Sequence, residues 1–337
     1  LLANDTRRIC EKIRQAETLP AGFHNEEWGT FMKLRNQKTG IIAAFPYLLP
    51  SLLGMALFSV LPIVASLCIS MTSWSGMTHV SIFYGFFTFV KENFIGFQNY
   101  AAVFQEKEIW TVLSHNAYFL VLYMPLMLCM SLILAVIVGS DHKAVGVYRV
   151  IYYIPVLTSW VAGALIWKWV LSSQYGPIND ILGFVGIKGP AWLQSEIWAM
   201  PSIVLASVWK DMGFYGMIFL GGLQSISPEY YEAAKIDGAS AWQRFKSITL
   251  PLLSPTTFYV MILSLINAFQ IFPQVMVMTT DAGPNGATQV MVERIYKFAF
   301  SFGKMGYAAS YSWILFAIIF AITIFQNLMQ RKWVHYE

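Results

Sequence analysis

The sequence predicts an all-α, polytopic integral membrane protein with six transmembrane helices and both termini in the cytoplasm. Three observations carry that expectation. The 337 residues are 57% hydrophobic and only 12% charged, with a mean hydropathy of +0.55, whereas soluble domains are about one-quarter charged. Apolar stretches of about twenty residues recur, enough to cross a hydrocarbon layer of about 30 Å at about 1.5 Å per residue. Lysine and arginine are divided unevenly between alternate loops, and the excess marks the cytoplasmic side.

Taken in order, residues 1–40 hold Arg7, Arg8, Lys12, Arg14, Lys33, Arg35 and Lys38 and read as a cytoplasmic N-terminal tail. The tail is too charged to be a signal peptide. The remainder, 41–337, reads as one transmembrane domain. Its first span covers about 41–72, interrupted by Pro46, Pro50 and Pro62. A loop rich in Phe and Gly precedes a second span at about 111–138, broken by Pro125. A polar turn with Asp141, His142 and Lys143 leads to a third span at about 148–171, ending in Trp167-Lys168-Trp169. Rings at the headgroup level and an ammonium reaching for water would anchor that end. The fourth, fifth and sixth spans cover about 201–223, 256–279 and 305–329.

Six spans put both termini on one side. That side, with the turn at 139–149 and the polar segment between the fourth and fifth spans, holds 14 Lys and Arg; the three opposite loops hold 6, and Lys168 and Lys210 fall within spans. The excess places the termini and the polar segment in the cytoplasm.

Catalytic signatures are missing. The sequence has no Gly-x-x-x-x-Gly-Lys-Ser/Thr phosphate loop, no His-Glu-x-x-His pair and no Gly-x-Ser-x-Gly elbow, and its five histidines are scattered. Cys10, Cys68 and Cys129 suit neither a disulfide framework nor a metal site. The expectation is a non-enzymatic membrane protein that binds no cofactor, no metal and no nucleic acid.

The polar segment, about 227–252, is unlike anything else in the chain. Ser227 and Pro228 stand in N-cap and first-helical positions, Glu229 and Glu232 lie near the positive helix end, and Gly238 is placed to stop the helix. A second helical run, Ala239 to Ile248, follows before Pro251 and Pro255 interrupt the pattern. Ala241, Phe245 and Ile248 recur at helical spacing, an apolar stripe suited to packing under the spans.

The string Glu232-Ala233-Ala234, then Gly238, Ile248 and Leu250-Pro251 resembles the EAA loop of permease subunits in binding-protein-dependent ATP-binding-cassette importers. Asp237, Phe245 and Pro255 are similar to its carbohydrate-uptake branch, typified by the maltose permease subunits. So is Thr279-Thr280-Asp281-Ala282-Gly283-Pro284, except that the branch usually has a double glycine before the proline. The resemblance covers about 41 to the C-terminus. It implies a prokaryotic cytoplasmic-membrane location, two ATPase subunits using ATP and Mg, a second homologous or identical permease subunit, an extracytoplasmic solute-binding protein, and surrounding lipid. It also implies that Glu232, Ala233, Ala234, Asp237, Gly238, Phe245, Ile248 and Pro251 couple this chain to an ATPase. At Gly238 a side chain would obstruct the sharp reversal.

Candidates for the substrate path lie deeper. Lys210 and Asp211, mid-way along the fourth span, cost about 2.5–3.5 kcal/mol each in hydrocarbon, so they face either neutralising neighbours or the path itself. Trp209 and Tyr215 offer rings for sugar faces or for packing, and Asn267 and Gln270 offer amides for hydroxyls. Two alternatives stay open: a permease of the same fold for glycerol phosphate or another polar solute, with Lys210 favouring an anion, and a self-powered secondary transporter or channel.

Overall fold

Proline, serine and glycine punctuate a chain that is otherwise helical. The computed structural model describes residues 37–77, 85–139 and 145–330. Most of the expected N-terminal tail, the Asp141–Lys143 turn and the tail carrying Arg331 and Lys332 lie outside the described residues. Among those described, extended pairing is limited to one bridge between Thr72 and Phe94.

Two units meet in sequence at Ala65 and Ser66. In the first, α1 (Gln37–Met55) contains Pro46 and Pro50 and continues through a π turn, Ala56–Val60, into α2 (Leu61–Ser70), whose residues from Ser66 on belong to the second. Within the turn Leu61 N–H reaches back five residues to the Ala56 carbonyl. That wider turn comes just before Pro62, which cannot donate to the ladder. Leu52, Phe58 and Ile63 are exposed, as suits a helix solvated by hydrocarbon.

The second unit begins with α3 (Phe86–Glu92) and α4 (Gln98–Gln105), followed by the long α5 (Lys107–Val138), which runs through Pro125 without stopping. Then come α6 (Val145–Leu157), α7 (Trp160–Val170), α8 (Pro177–Phe184) and α9 (Ala199–Ser225). The polar segment supplies α10 (Pro228–Ile236), α11 (Ala241–Arg244), a π turn at Phe245–Thr249 and α12 (Leu250–Leu252). The chain ends with α13 (Ser254–Phe269), α14 (Pro273–Met278), α15 (Met291–Tyr296) and α16 (Met305–Gln330).

Helix α9 is the centre. It packs along α5 and against α6 and α13, and 61% of its apolar window is inside the protein, more than for any other long helix described. Gly213 allows this closeness, because a Cβ there would overlap the Tyr152 carbonyl of α6.

Among the described residues, Phe45–Ser70, Lys107–Val138, Ala199–Ser225 and Met305–Gln330 are each long and apolar enough to cross a membrane. Two further pairs qualify together but are bent: Gly146–Leu157 with Trp160–Val170 by 102°, and Ala241–Leu252 with Ser254–Phe269 by 64°. The stretch 148–171, expected as the third span, is therefore sharply bent. Pro155 lies near the end of α6, and the Ser159 side chain restarts the helix by accepting from Ala162 N–H.

Pro251 and Pro255 differ from expectation in the opposite sense. The π turn at Phe245–Thr249 precedes Pro251 as its counterpart precedes Pro62, and Pro255 falls in the first turn of α13, where its missing N–H is not needed. The helical path bends there and continues. The expected fifth span, 256–279, breaks instead at Gln270–Phe272, since Pro273 disfavours helical geometry at Phe272, which adopts φ −150°.

Candidate coupling loop and intramembrane polar cluster

Local rules build the polar segment. Ser227 caps α10 through Glu229 N–H, and Pro228 opens it. At the far end Gly238 N–H donates to the Lys235 carbonyl at 3.1 Å and Ala239 N–H to the Ala234 carbonyl at 2.9 Å, a complete Schellman closure. Gly238 has φ +76°. A Cβ there would meet nothing within 4 Å, so backbone angle, and not the crowding expected, calls for glycine. Ser240 and Gln243 then form a reciprocal capping box that starts α11.

The two arms are tied by Tyr231 Oη and Thr249 Oγ1, 3.0 Å apart. Glu232, Ala233, Asp237 and Gly238 are exposed and Ala234 partly so, leaving the first arm and the turn open to another surface. Of the expected stripe, Ile248 packs against the main core. Phe245 stacks on Trp242 with centroids 5.7 Å apart, and Ala241 is exposed. Pro251 lies at the start of α12, one turn before the bend into α13.

Lys210 is buried, and its ammonium is engaged. It donates to the carbonyls of Thr158 at 2.8 Å, Pro155 at 3.0 Å and Val156 at 3.3 Å, and lies 5.2 Å from the Trp160 ring centroid. These carbonyls lie at the end of α6 and in the break that follows it, so a cation on one helix caps the C-terminus of another and braces the 102° corner. The geometry spends all three donors on backbone and leaves none for an anionic solute.

Its neighbour Asp211 points into a separate network. Tyr123 of α5 donates to Asp211 Oδ2 at 2.9 Å and stacks on Phe119 at 5.2 Å. One helical turn along α9, the Tyr215 hydroxyl accepts from Asn267 Nδ2 of α13 at 2.6 Å. Three helices thus share one polar cluster. Tyr215 is buried and Asn267 exposed, so the cluster runs from the interior to the surface of this chain. Gln270, also exposed, stands at the break that ends α13. Trp209 sits edge-on to Trp167 at 5.8 Å, a packing contact between α9 and α7.

Several participants were not apparent in the sequence. Tyr123 looks like any aromatic in an apolar run. Lys168, exposed as an interfacial ammonium would be, also donates to the Val277 carbonyl at 3.1 Å, tying α7 to the end of α14. Asn116 of α5 accepts from Met291 N–H at 2.9 Å and caps α15. Arg294 and Lys297, counted as loop charges, pair with Glu108 at 2.6 Å and with the fully buried Glu293 at 2.9 Å. In the loop before them Ala282, where the resembling branch has glycine, takes φ +61°.

The architecture is that of a multi-pass, membrane-embedded permease, with polar groups gathered along a central helix and a two-helix loop projecting from it. The model of the family described as binding-protein-dependent transport system inner membrane component matches residues 95–335, and the chain belongs to that family. It is 33% identical over 309 residues to the probable ABC transporter permease protein YesP of Bacillus subtilis, covering 90% of this chain and 96% of that one. It is 33% identical over 294 residues to the trehalose/maltose transport system permease protein MalF of Thermococcus litoralis, covering 87% and 94%. A crystal structure of a bacterial ABC transporter involved in import of the acidic polysaccharide alginate shares the fold, with TM-score 0.75 and 21% identity over 89% of this chain and 99% of that one.

Proposed function

We propose that this chain is one of two permease subunits in an ATP-driven importer of the prokaryotic cytoplasmic membrane, carrying a sugar or oligosaccharide delivered by an extracytoplasmic binding protein. In this reading six crossings put both termini on one side, and the excess of Lys and Arg there makes that side, with the loop at 227–252, cytoplasmic. Two partner ATPases use ATP and Mg; this chain holds neither. The family membership, the printed names of relatives such as the trehalose/maltose permease and the missing phosphate loop support the reading.

One observation carries it. The exposed Glu232–Gly238 arm is joined through Tyr231 and Thr249 to a helix that continues, bent by 64°, into α13, which bears Asn267 and ends at Gln270. Motion applied at the loop thereby reaches the polar cluster. Nucleotide-driven closure of the ATPases shifts the loop and, with it, the population between inward and outward states. Asp211, Tyr215, Asn267 and Gln270 line the path in this reading, with Trp209 behind them and Lys210 bracing the corner.

Purification and uptake together test this. An ATPase should accompany the chain and be lost when Glu232 and Gly238 are both replaced, and proteoliposomes should accumulate sugar only with ATP, binding protein and ATPase present. Uptake by the isolated chain under an ion gradient would instead identify a self-powered carrier. Competition by glycerol phosphate but not by saccharides would move the cargo to the other class.

A further inference from the structure

Helix α8 has two apolar faces, and the protein uses one. Ile178 packs on the main core, and Asn179 fixes the helix from the same side, accepting from Trp192 Nε1 at 2.7 Å and donating to the Pro190 carbonyl at 3.3 Å. The helix closes on Gly186, at φ +76°, through Gly186 N–H to the Gly183 carbonyl at 3.0 Å and Ile187 N–H to the Leu182 carbonyl at 2.9 Å. Ile181, Phe184 and Val185, at helical spacing on the other face, are 62%, 92% and 71% exposed, and Ile187 beyond the closure is 56% exposed. A rigidly held helix therefore presents a continuous apolar stripe outward, flanked by Asp180 and Lys188.

The level of this stripe is set by contacts. Trp192, bonded to Asn179, lies edge-on to Trp198 with ring centroids 5.3 Å apart. Trp198 is the N-cap residue of α9, a helix long enough to cross the membrane. Trp198 and Trp169, at the two span ends that the loop connects, both expose their rings, as interfacial indoles do.

We propose that α8 is an interfacial helix, seated in the boundary between lipid headgroups and acyl chains, with Ile181, Phe184, Val185 and Ile187 as its membrane-facing side. An apolar side toward the acyl chains, charged flanks and indoles at the same level are the features that hold a helix in the interface. The occupant of this face is lipid, not a second copy of the chain and not the solute-binding protein.

The test uses the full chain, purified with the subunits that accompany it, in nanodiscs of phosphatidylethanolamine and phosphatidylglycerol. Cys10, Cys68 and Cys129 are replaced by serine, and spin labels are attached at Phe184→Cys, Ile181→Cys and Asp180→Cys in turn. Labels at 181 and 184 should collide with oxygen about threefold more readily than with a water-soluble nickel chelate, and the label at 180 should show the reverse. Free access of nickel to position 184 overturns the proposal in favour of water. Protection from both reagents overturns it in favour of a protein neighbour, and protection arising only when binding protein is added does so in favour of a docking surface. If Phe184→Cys prevents assembly, Val185→Cys reports on the same face.

Discussion

The ammonium of Lys210 lies 2.8 Å from the carbonyl of Thr158, in the break between two other helices, and closes the corner at which α6 gives way to α7. A bend of 102° interrupts the helical ladder of an apolar segment, and an unsatisfied polar group in hydrocarbon costs several kcal/mol. Lysine on the buried face of α9 is the structural answer to that cost.

Replacing Lys210 by methionine, which keeps the stem and removes the donors, is expected to cost about 1.5–3 kcal/mol, the range for hydrogen bonds to a charged group. Arginine should recover most of the loss, having donors enough to reach the same carbonyls. Thermal unfolding of the purified assembly measures both. A methionine variant as stable as the parent would mean that the corner is held by packing alone.

Tyr123 and Asp211 should behave as a pair. Tyr123→Phe leaves a carboxylate without its donor and should cost about 1–3 kcal/mol. Adding Asp211→Asn should recover part of that, with a coupling energy of about 0.5–3 kcal/mol in a double-mutant cycle. Additive effects would show that the 2.9 Å contact contributes nothing of its own.

Ala282 is a natural test of backbone strain, at φ +61° and buried. Ala282→Gly removes a left-handed penalty of about 1–2 kcal/mol but loses about 0.8 kcal/mol of methyl burial and about 0.5–1 kcal/mol in chain entropy, so the midpoint should hardly move. Ala282→Val keeps the penalty and adds a branch that this conformation does not tolerate, and it should lower the unfolding midpoint. A valine variant equal to the parent would contradict the assigned turn.

Much of this was legible in the sequence. Composition and apolar runs placed the protein in a membrane, and the cap residues Ser227, Pro228 and Gly238 outlined the two-helix loop, because capping is decided by near neighbours along the chain. The corner at Thr158 was harder. Pro155 and Ser159 are visible punctuation, but what makes a break tolerable in hydrocarbon is Lys210, more than fifty residues away, and no local pattern connects them. For the same reason neither the Lys168–Val277 tie nor the role of Tyr123 is visible in the sequence. Pro251 and Pro255 misled in the other direction, since a π turn before one proline and a first-turn position for the other let the helix pass. Asp211, Tyr215 and Asn267 stand out in the sequence as polar groups in apolar surroundings, but their junction across three helices is tertiary.

In the proposed function Gly238 is the joint of the handle through which an ATPase moves the spans. Its left-handed angle makes valine costly by about 1–2 kcal/mol, a factor of about 5–30 in the population of the native turn. A Cβ there meets nothing within 4 Å, so the cost expected is that of the backbone angle. The decisive measurement is uptake and ATP hydrolysis followed together in proteoliposomes containing the complete transporter, with glycine or valine at position 238. The valine variant should continue to hydrolyse ATP while accumulation falls. Undiminished uptake with valine in place would contradict the coupling role of the loop.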